Sequence, residues 1–356
     1  MTGPTRELDP IDARLLNRIQ EDIPTVSRPF AALGEWLGSD EADVLDRLRS
    51  LKARNIVRQI SAIFDTRSLG YKSSLVAMAT TPENELPAAK ALNAHPGVTH
   101  NYKRNHDFNI WFTVAVPPTT SLEETVAALH EEAGALSTRI LPTLRLFKIG
   151  VTLDMTGAED PARRSAPAYG DANRQATPPP LSAEHIATIR AMQDDLPLVA
   201  QPYQQVAECE GLTEEALFAH AADLRQRGQL RRVAAVLHHR KAGFRANGMA
   251  VWKVPEAEVG RVGEQMAQFT AVSHCYQRPV YPDWPYNVFS MIHGRTDGEC
   301  EAVVAAISEE TGIREWITLY SSTEFKKTRT RFFTPEMEEW ERLHLEPRRA
   351  ALAAAH

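Results

Sequence analysis

Several residue patterns are missing from the 356-residue sequence, and each absence excludes a class of protein. The three cysteines, Cys209, Cys275 and Cys300, are too few and too scattered for a disulfide framework or a CxxC metal site. No run approaches the roughly 18 apolar residues that a membrane helix needs, and the polar N-terminus lacks the apolar stretch of a secretory signal. These absences predict a cytoplasmic protein with no membrane partner.

The sequence also lacks a surplus of positive charge. Lys and Arg total 40 against 46 Asp and Glu, which gives a formal net charge of −6. Because neutralising phosphates needs an excess of Lys and Arg, the composition disfavours a general nucleic-acid binder, although it allows a local basic pocket. The hydrophobic content of 43% and the length are those of a globular protein with two or more domains.

An internal repeat organises the chain. The segment LDPIDARLLNRIQEDIP, which starts at Leu8, aligns with LSAEHIATIRAMQDDLP, which starts at Leu181, 173 positions later. The offset is 174 between His100 and His274, and it rises to 178 after four extra residues in PVYPDWPYN. A register held over so many positions predicts two diverged copies of one unit.

Each copy begins with helices and continues with strands. Apolar residues at helix spacing, a glycine turn and a third helix capped at Ser39 predict a helix-turn-helix. After one linking strand, the order β-α-β-β-α-β predicts a ferredoxin-like sandwich. The fold class is therefore α+β, a tandem duplication of a winged helix-turn-helix plus a ferredoxin-like βαββαβ sandwich. The predicted segments are helix-turn-helix domains at 1–60 and 181–232, ferredoxin-like domains at 61–156 and 233–333, a flexible linker at 157–180 and a C-terminal helical tail at 334–356.

One polar strand pattern, His-x-Tyr-x-Arg, occurs in both copies. Alternate residues of a strand point to the same face, so the residues of each motif lie together. They are His100, Tyr102, Arg104 and His106 in the first copy, and His274, Tyr276 and Arg278 in the second. Because a sheet face covered by helices should be apolar, the pattern predicts a face that lines a cavity or an interface. A solvated strand face, or simple retention of ancestry, is the alternative.

Longer strings resemble known families. A winged helix-turn-helix followed by a ferredoxin-like domain resembles the Lrp/AsnC-type regulators. More narrowly, GVTHNYKRNHDFNIWFTV in the first copy, and RRVAAVLHHRKAGF and SHCYQRPVYPDWPYNVFSMIHG in the second, resemble the two subunit types of siroheme decarboxylase. FKIGVTLDM and STEFKKTRTRFF at the ends of the copies match as well. The resemblance covers nearly the whole chain outside the linker and tail, with both subunit types fused.

The resemblance implies an enzyme, a carboxy-lyase. It removes the carboxyl groups of two acetate side chains of siroheme without oxidation and yields didecarboxysiroheme for heme or d-type heme biosynthesis. Siroheme is then the substrate, and no cofactor is required. The expected partners are siroheme and its decarboxylated products, without nucleic acid, and a homodimer of the fused chain is left open.

Proton delivery and carboxylate binding are the two tasks that the site residues must perform. Histidine titrates near neutral pH and suits proton delivery, whereas arginine forks suit carboxylates. The hypothesis assigns catalysis to His274, Tyr276, His100 and Tyr102, and carboxylate binding to Arg278 and Arg104. Further substrate-binding candidates, all basic or aromatic, are His106, His238, His239, Arg231, Arg232, Trp284, Tyr286, Lys327 and Arg329. No protein-only metal site is expected, although His238 or His239 could ligate the siroheme iron.

Several of these candidates have a structural alternative. The aromatic residues of YPDWPYN either stack on a flat macrocycle or form a packed loop. Lys327, Arg329 and Arg331 would share one face of the last strand, either to bind carboxylates or as an exposed basic edge that prevents strand pairing.

A DNA-binding regulator is the rival class of function. A reading helix should present basic or amide residues near its N-terminus. Asp40, Glu41 and Asp43 occupy those positions in the first copy, and Glu214 and Glu215 occupy them in the second. The two helix-turn-helices are therefore interpreted as structural. A non-catalytic heme or siroheme sensor that uses the same pocket is a third alternative.

Overall fold

The computed structural model describes residues 9–149, 180–237 and 246–354. These residues divide into two compact units. One comprises residues 9–71, 180–237 and 331–334, and the other comprises residues 72–149, 246–330 and 335–354. Each unit therefore combines corresponding parts of both copies. The predicted linker, apart from its last residue, lies outside the described residues.

The first unit contains the two helix-turn-helix regions and one strand from each copy. Its elements are α1 (Pro10–Glu21), α2 (Pro29–Leu37), α3 (Glu41–Ala53), β1 (Val57–Phe64), α6 (Ala183–Gln193), α7 (Pro202–Cys209), α8 (Glu214–Gln226) and β7 (Leu230–Leu237). Gly38 ends α2 with φ of 76°, a conformation that favours glycine. The N-cap of α3 is Asp40, whose carboxylate accepts from the Asp43 N–H at 2.8 Å. The prediction of Ser39 is wrong by one residue, because the Ser39 hydroxyl donates to the Asp43 carboxylate instead.

Strands β1 and β7 form a two-stranded antiparallel sheet of their own. The chain after α1 is tied to the second copy, since Ile23 N–H donates to the Val233 carbonyl at 2.6 Å. Reciprocally, Leu196 N–H donates to the Ile60 carbonyl at 2.7 Å. The predicted domain limits at residues 60 and 232 therefore fall inside these strands. Strands β1 and β7 belong to the helix-turn-helix unit because they pair with each other. The sequence pattern had predicted only that one strand in each copy links the helices to the ferredoxin-like domain.

The second unit contains both ferredoxin-like halves and the C-terminal helices. The first half consists of β2 (Lys72–Ala79), α4 (Glu85–Ala94), β3 (Val98–Arg104), β4 (Ile110–Val116), α5 (Leu122–Glu132), β5 (Ser137–Leu141) and β6 (Arg145–Ile149). The second half and tail consist of β8 (Ala246–Trp252), α9 (Val259–Gln268), β9 (Val272–Gln277), β10 (Val288–Gly294), α10 (Asp297–Thr311), β11 (Trp316–Lys327), α11 (Pro335–His344) and α12 (Glu346–Ala354). The predicted order β-α-β-β-α-β is confirmed in both halves.

The strands of this unit form one sheet in the order β5-β2-β4-β3-β11-β8-β10-β9-β6. Each half gives its last strand to the other. Strand β11 pairs first with β8 and then with β3, where Lys327 lies opposite His100. Strand β6 pairs with β9, where Ile149 lies opposite His274. The exchange makes the two halves a single folded unit.

Each half has a helix-facing core, and a third core is shared. Alternation along the strands separates the two faces: Val76 and Met78 face the helices, whereas Ala77 between them belongs to the shared core. The shared core also contains Trp111 from the first half and Trp284 from the second. The inner faces of both half-sheets are thus packed together, and the His-x-Tyr-x-Arg strands contribute to these faces.

The C-terminal helices are part of the first half rather than a separate tail. Helix α11 begins at Pro335, within the predicted helical tail. Trp340 and Leu345 lie in the helix-facing core of the first half, and the Trp340 ring lies edge-on to His95 with ring centroids 4.2 Å apart. Within the described ranges, no helix is long and apolar enough to cross a membrane.

Candidate functional site

Strands β3 and β9 present the same residue types on their inner face. His100 and Tyr102 are half-buried there, as are His274 and Tyr276 in the second half. The residue between each pair faces the helices. Asn101 Nδ2, for example, donates to Asn93 Oδ1 at 3.0 Å. The structure therefore places each His-Tyr pair together on one face, as the strand period predicts.

The aromatic rings have matching arrangements in both halves. The His100 and Tyr102 ring centroids are 6.2 Å apart, and those of His274 and Tyr276 are 6.0 Å apart, with an interplanar angle of 31° in each case. The motif arginine of each half lies over its tyrosine, with Arg104 Cζ 5.8 Å from the Tyr102 ring centroid. Such a contact orients a guanidinium while leaving its N–H groups available for anions.

The two motif arginines are buried and make equivalent backbone contacts. Arg104 is 5% exposed and donates from Nη1 to the Leu319 carbonyl at 2.8 Å. Arg278 is 8% exposed and donates to the Leu141 carbonyl. Burial lowers the pKa of Arg104 to about 10, so the side chain remains a cation at neutral pH. Among the described residues, no carboxylate forms an ion pair with Arg104, and its Nε has no hydrogen-bond partner.

His274 lies in a cationic environment. Burial is the largest cause that lowers its pKa, to about 4, and the charges of His293, Arg278 and Lys148 act in the same direction. Its Nδ1 is 2.8 Å from the Ser273 hydroxyl. The free imidazole is therefore neutral at neutral pH, and an anion bound beside it would raise its pKa.

Sequence reasoning missed His293 on β10. Its Nε2 is 2.8 Å from the Ser273 hydroxyl, and burial lowers its pKa. The sequence does indicate that His293 faces inward. Phe289, Met291 and His293 lie at alternate positions of β10, and Phe289 and Met291 face the shared core. The repeated motif identifies His274 but not His293, because the first copy has Ala115 at the position 178 residues before His293.

His106 lies in a turn, not on the strand face as predicted. Strand β3 ends at Arg104, and the His106 Nδ1 accepts from the Phe108 N–H at 3.0 Å. Its ring is edge-on to Trp284, with centroids 5.2 Å apart, and burial lowers its pKa. The tight turn between β3 and β4 removes His106 from the alternation that His100 and Tyr102 follow.

Trp284 has no exposed ring face, since its relative exposure is 0%. It packs edge-on to Trp111 at 5.2 Å and to Tyr286 at 5.1 Å between ring centroids, within the shared core. The structure corresponds to the packed-loop alternative for YPDWPYN, and not to an open stacking surface for a macrocycle. Tyr286 is partly exposed at the edge of this cluster.

The basic residues near the end of the second copy do not share one strand. Strand β11 ends at Lys327, which is exposed and lies opposite His100. Arg329 and Arg331 follow the strand, and the Arg331 side chain pairs with Asp194 at 2.8 Å in the helix-turn-helix unit. The prediction that these residues share one strand face is therefore wrong, because the partner strand β3 begins at Val98 and offers no further ladder.

The remaining basic candidates lie elsewhere or outside the described residues. Arg231 and Arg232 are exposed on β7 in the helix-turn-helix unit, and Arg231 pairs with Asp65. His238 and His239 lie outside the described residues. Within the described residues, no group of three or more His, Cys, Asp or Glu side chains is arranged to hold a metal ion.

The fold and the paired inner faces define a class of protein. A model of the AsnC-like ligand binding domain matches residues 68–148 and 241–326, and a model of the siroheme decarboxylase NirDL-like HTH domain matches residues 12–58 and 186–231. The chain is thus a fused pair of AsnC-like ligand-binding domains with their helix-turn-helix regions.

Relatives identify the family within that class. The chain is 40% identical to a siroheme decarboxylase of Hydrogenobacter thermophilus over 328 residues, which are 92% of this chain and 96% of the relative. It is similar to the crystal structure of the siroheme decarboxylase NirDL, with 35% identity and a TM-score of 0.76 over 95% of this chain and 99% of that chain. A second structure of NirDL, in complex with an iron-uroporphyrin III analogue, has 34% identity and the same TM-score over the same shares. The chain belongs to the siroheme decarboxylase family.

Proposed function

We propose that this chain decarboxylates siroheme, removing the carboxyl groups of two acetate side chains to give didecarboxysiroheme. The observation that carries the proposal is Arg104, a buried cation without a carboxylate partner among the described residues. A buried charge is costly unless it is paired, so such a residue favours a site that receives an anion from a ligand. A macrocycle with many acetate and propionate groups supplies that anion.

The family supports the same substrate. The NirDL crystal structure was obtained with an iron-uroporphyrin III analogue, a macrocycle that carries carboxylates and iron. In this chain, Arg104 and Arg278 occupy matching positions on the inner faces, beside Tyr102 and Tyr276. We propose that they hold the carboxylates that remain, because a guanidinium fork binds a carboxylate with two parallel hydrogen bonds.

Each decarboxylation consumes one proton. The bond between the methylene and carboxyl carbons breaks, its electron pair enters the macrocycle, CO2 leaves, and a proton is delivered to the carbon. We propose His274 or His100 as the acid, with Tyr276 or Tyr102 assisting, because each His-Tyr pair lies on the same face as a motif arginine. Substrate carboxylates beside His274 would raise its pKa from about 4 and allow it to carry the proton.

The proposal requires no other cofactor, since the macrocycle accepts the electrons of the broken bond and a side chain supplies the proton. A cytoplasmic location, heme or d-type heme biosynthesis as the destination of the product, and a homodimer of the fused chain stay predictions. So does ligation of the siroheme iron by His238 or His239.

We propose that the helix-turn-helix regions are structural. The acidic residues at the start of α3, the third helix of the first copy, are engaged in local contacts. Asp40 caps α3, Glu41 pairs with Arg28, and Asp43 pairs with Arg47 at 2.9 Å. Carboxylates at this position repel phosphates, so weak binding of duplex DNA is the expected result.

The experiment is anaerobic incubation of the purified chain with siroheme, followed by mass spectrometry of the tetrapyrrole. Loss of two CO2 units without an added cofactor supports the proposal. Tight binding of siroheme with no change in mass would favour a sensor, and the absence of binding would contradict the assignment of the site. A duplex DNA titration at low salt serves as the parallel test of the regulator alternative.

A further inference from the structure

The Ser273 hydroxyl lies between two imidazoles on the inner face of the second half. Ser273 Oγ is 2.8 Å from His274 Nδ1 and 2.8 Å from His293 Nε2. Ser273 is 4% exposed, so bulk water does not compete freely for these bonds. The three side chains form a continuous hydrogen-bonded chain that joins β9 to β10.

The first copy has alanine at the position of the third member. There, Thr99 Oγ1 is 3.0 Å from His100 Nδ1, which matches the contact of Ser273 with His274. The position that corresponds to His293 is Ala115, on β4, which has no side-chain donor or acceptor. His274 is therefore linked through a hydroxyl to a second imidazole that has no counterpart at the matching position of the first copy.

The Ser273 hydroxyl has one proton and two acceptors within reach, His274 Nδ1 at 2.8 Å and the Met291 carbonyl at 3.3 Å, and the shorter distance favours His274. When His293 donates from Nε2 to Ser273 Oγ, the hydroxyl donates to His274 Nδ1, and the His274 proton must then lie on Nε2. Among the described residues, His274 Nε2 makes no hydrogen bond, so this nitrogen is the one available to a substrate. The chain thus selects the tautomer in which a neutral imidazole can donate from Nε2.

Surrounding charges reinforce this arrangement. The charged or titratable groups that act on His274 are Arg278 directly after β9, His293 on β10 and Lys148 on β6, and Lys327 on β11 acts on His293. All of them are cationic or become cationic, so a second proton on either imidazole is disfavoured when no substrate carboxylate is bound. Neutral imidazoles joined by a hydroxyl can pass a proton inward at Nδ1 as another leaves from Nε2.

We infer that His293 is a positioning residue for the decarboxylation site of the second half, acting on His274 through Ser273. The inference rests on the proposed function. In the proposed step, R–CH2–COO⁻ and H⁺ give R–CH3 and CO2, and the proton goes from His274 Nε2 to the methylene carbon. The Ser273 proton then moves to His274 Nδ1, the His293 Nε2 proton moves to Ser273, and His293 Nδ1 takes up from solvent the proton that the reaction consumes.

Kinetics of single and double variants test the inference. Ser273→Ala and His293→Phe should each lower kcat for CO2 release by roughly 10-fold or more, with KM nearly unchanged, because general acid catalysis is lost and not binding. The double variant should be no slower than the slower single variant, since both changes interrupt one chain. His293→Gln should recover much of the loss, because its amide N–H can donate to Ser273.

Nitrogen NMR of the imidazoles gives a readout without turnover. Wild-type His274 should show the tautomer with the proton on Nε2, and Ser273→Ala should show a mixture. If the wild-type protein does not decarboxylate siroheme but this tautomer is present, the proposed function is contradicted. The hydrogen bonds that join His293, Ser273 and His274 are then still supported. If the wild-type chain is active and His293→Phe leaves kcat unchanged, or the two variants have multiplicative effects, the inference is overturned.

Discussion

Arg104 donates a hydrogen bond of 2.8 Å to the main-chain carbonyl of Leu319, and this contact joins the first half of the sheet to the last strand of the second. Arg278 makes the equivalent contact with Leu141, 178 residues before Leu319. The duplicated chain therefore keeps one guanidinium on each inner face, anchored by a neutral carbonyl. Because a carbonyl does not neutralise a cation, we expect the positive charge of Arg104 to attract an anionic group of a ligand.

Replacement of Arg104 tests this assignment. Arg104→Met should weaken siroheme binding about 10-fold or more, because a substrate carboxylate loses its buried partner. Protein stability should change much less, since the variant removes a buried charge that has no carboxylate partner among the described residues. Absorption titration with siroheme and thermal unfolding measure the two effects.

Arg139→Met is the matched control, because the Asp283 carboxylate neutralises that arginine, which also donates to the Thr138 carbonyl. It should leave the affinity for siroheme within a factor of a few of the wild type. Equal affinities of the Arg104→Met variant and the wild type would contradict a carboxylate-binding role for Arg104.

Replacement of the motif histidines separates the two halves. His274→Gln should lower kcat by about 10²- to 10⁴-fold if it is the acid, with little change in siroheme affinity. The matched variant is His100→Gln. Accumulation of a product that has lost one CO2 in either variant indicates that each half handles one carboxyl, and unchanged turnover in His274→Gln removes it from the mechanism.

Stability in acid should depend on His95. Burial, with smaller effects of Lys326 and His344, lowers the pKa of His95 to about 3 from an ordinary 6.5. Between these values the unfolded chain binds more protons than the folded one, so stability should fall as the pH drops from about 6.5 towards 3. The second copy has Phe269 at the matching position.

His95→Phe therefore substitutes the residue of the other copy and removes the titration. Urea unfolding at several pH values should show a shallower loss of stability below pH ~6.5 in the variant than in the wild type. Parallel pH profiles of the two proteins would show that His95 does not contribute this dependence.

Trp340 should stabilise the first ferredoxin-like half. It is 5% exposed in the helix-facing core and contacts the rings of His95 and His344. Trp340→Ala should cost about 3–5 kcal/mol of unfolding free energy, because a large buried side chain leaves a cavity. Leu352→Ala, at a position 65% exposed on α12, is the control and should change stability by no more than about 0.5 kcal/mol. Similar losses in both variants would mean that α11 adds nothing specific.

Periodicity and the repeat were sufficient to predict the elements of each copy. The alternation of His100 and Tyr102, or of His274 and Tyr276, depends on the strand geometry alone, and the structure has it. Periodicity and the repeat could not predict which strands of the two copies pair with each other. Pairing of β1 with β7, and of β6 with β9, joins strands that are far apart in sequence.

Predictions for single residues were wrong where a tertiary contact or the end of a strand decides the position of the side chain. His106 follows the end of β3, and Arg329 follows the end of β11, so neither continues its strand pattern. Trp284 is enclosed by rings from both halves, which composition cannot show. His293 was missed because its role depends on the proximity of Ser273 across two strands.

The most direct test of the account is the amount of CO2 released per siroheme when the purified chain acts alone under anaerobic conditions. Siroheme labelled in its acetate carboxyl groups allows the released label to be counted. The account predicts two CO2 per siroheme, with a product that keeps all of its propionates. Release of no CO2 by a chain that binds siroheme, or a requirement for a second protein, would contradict it.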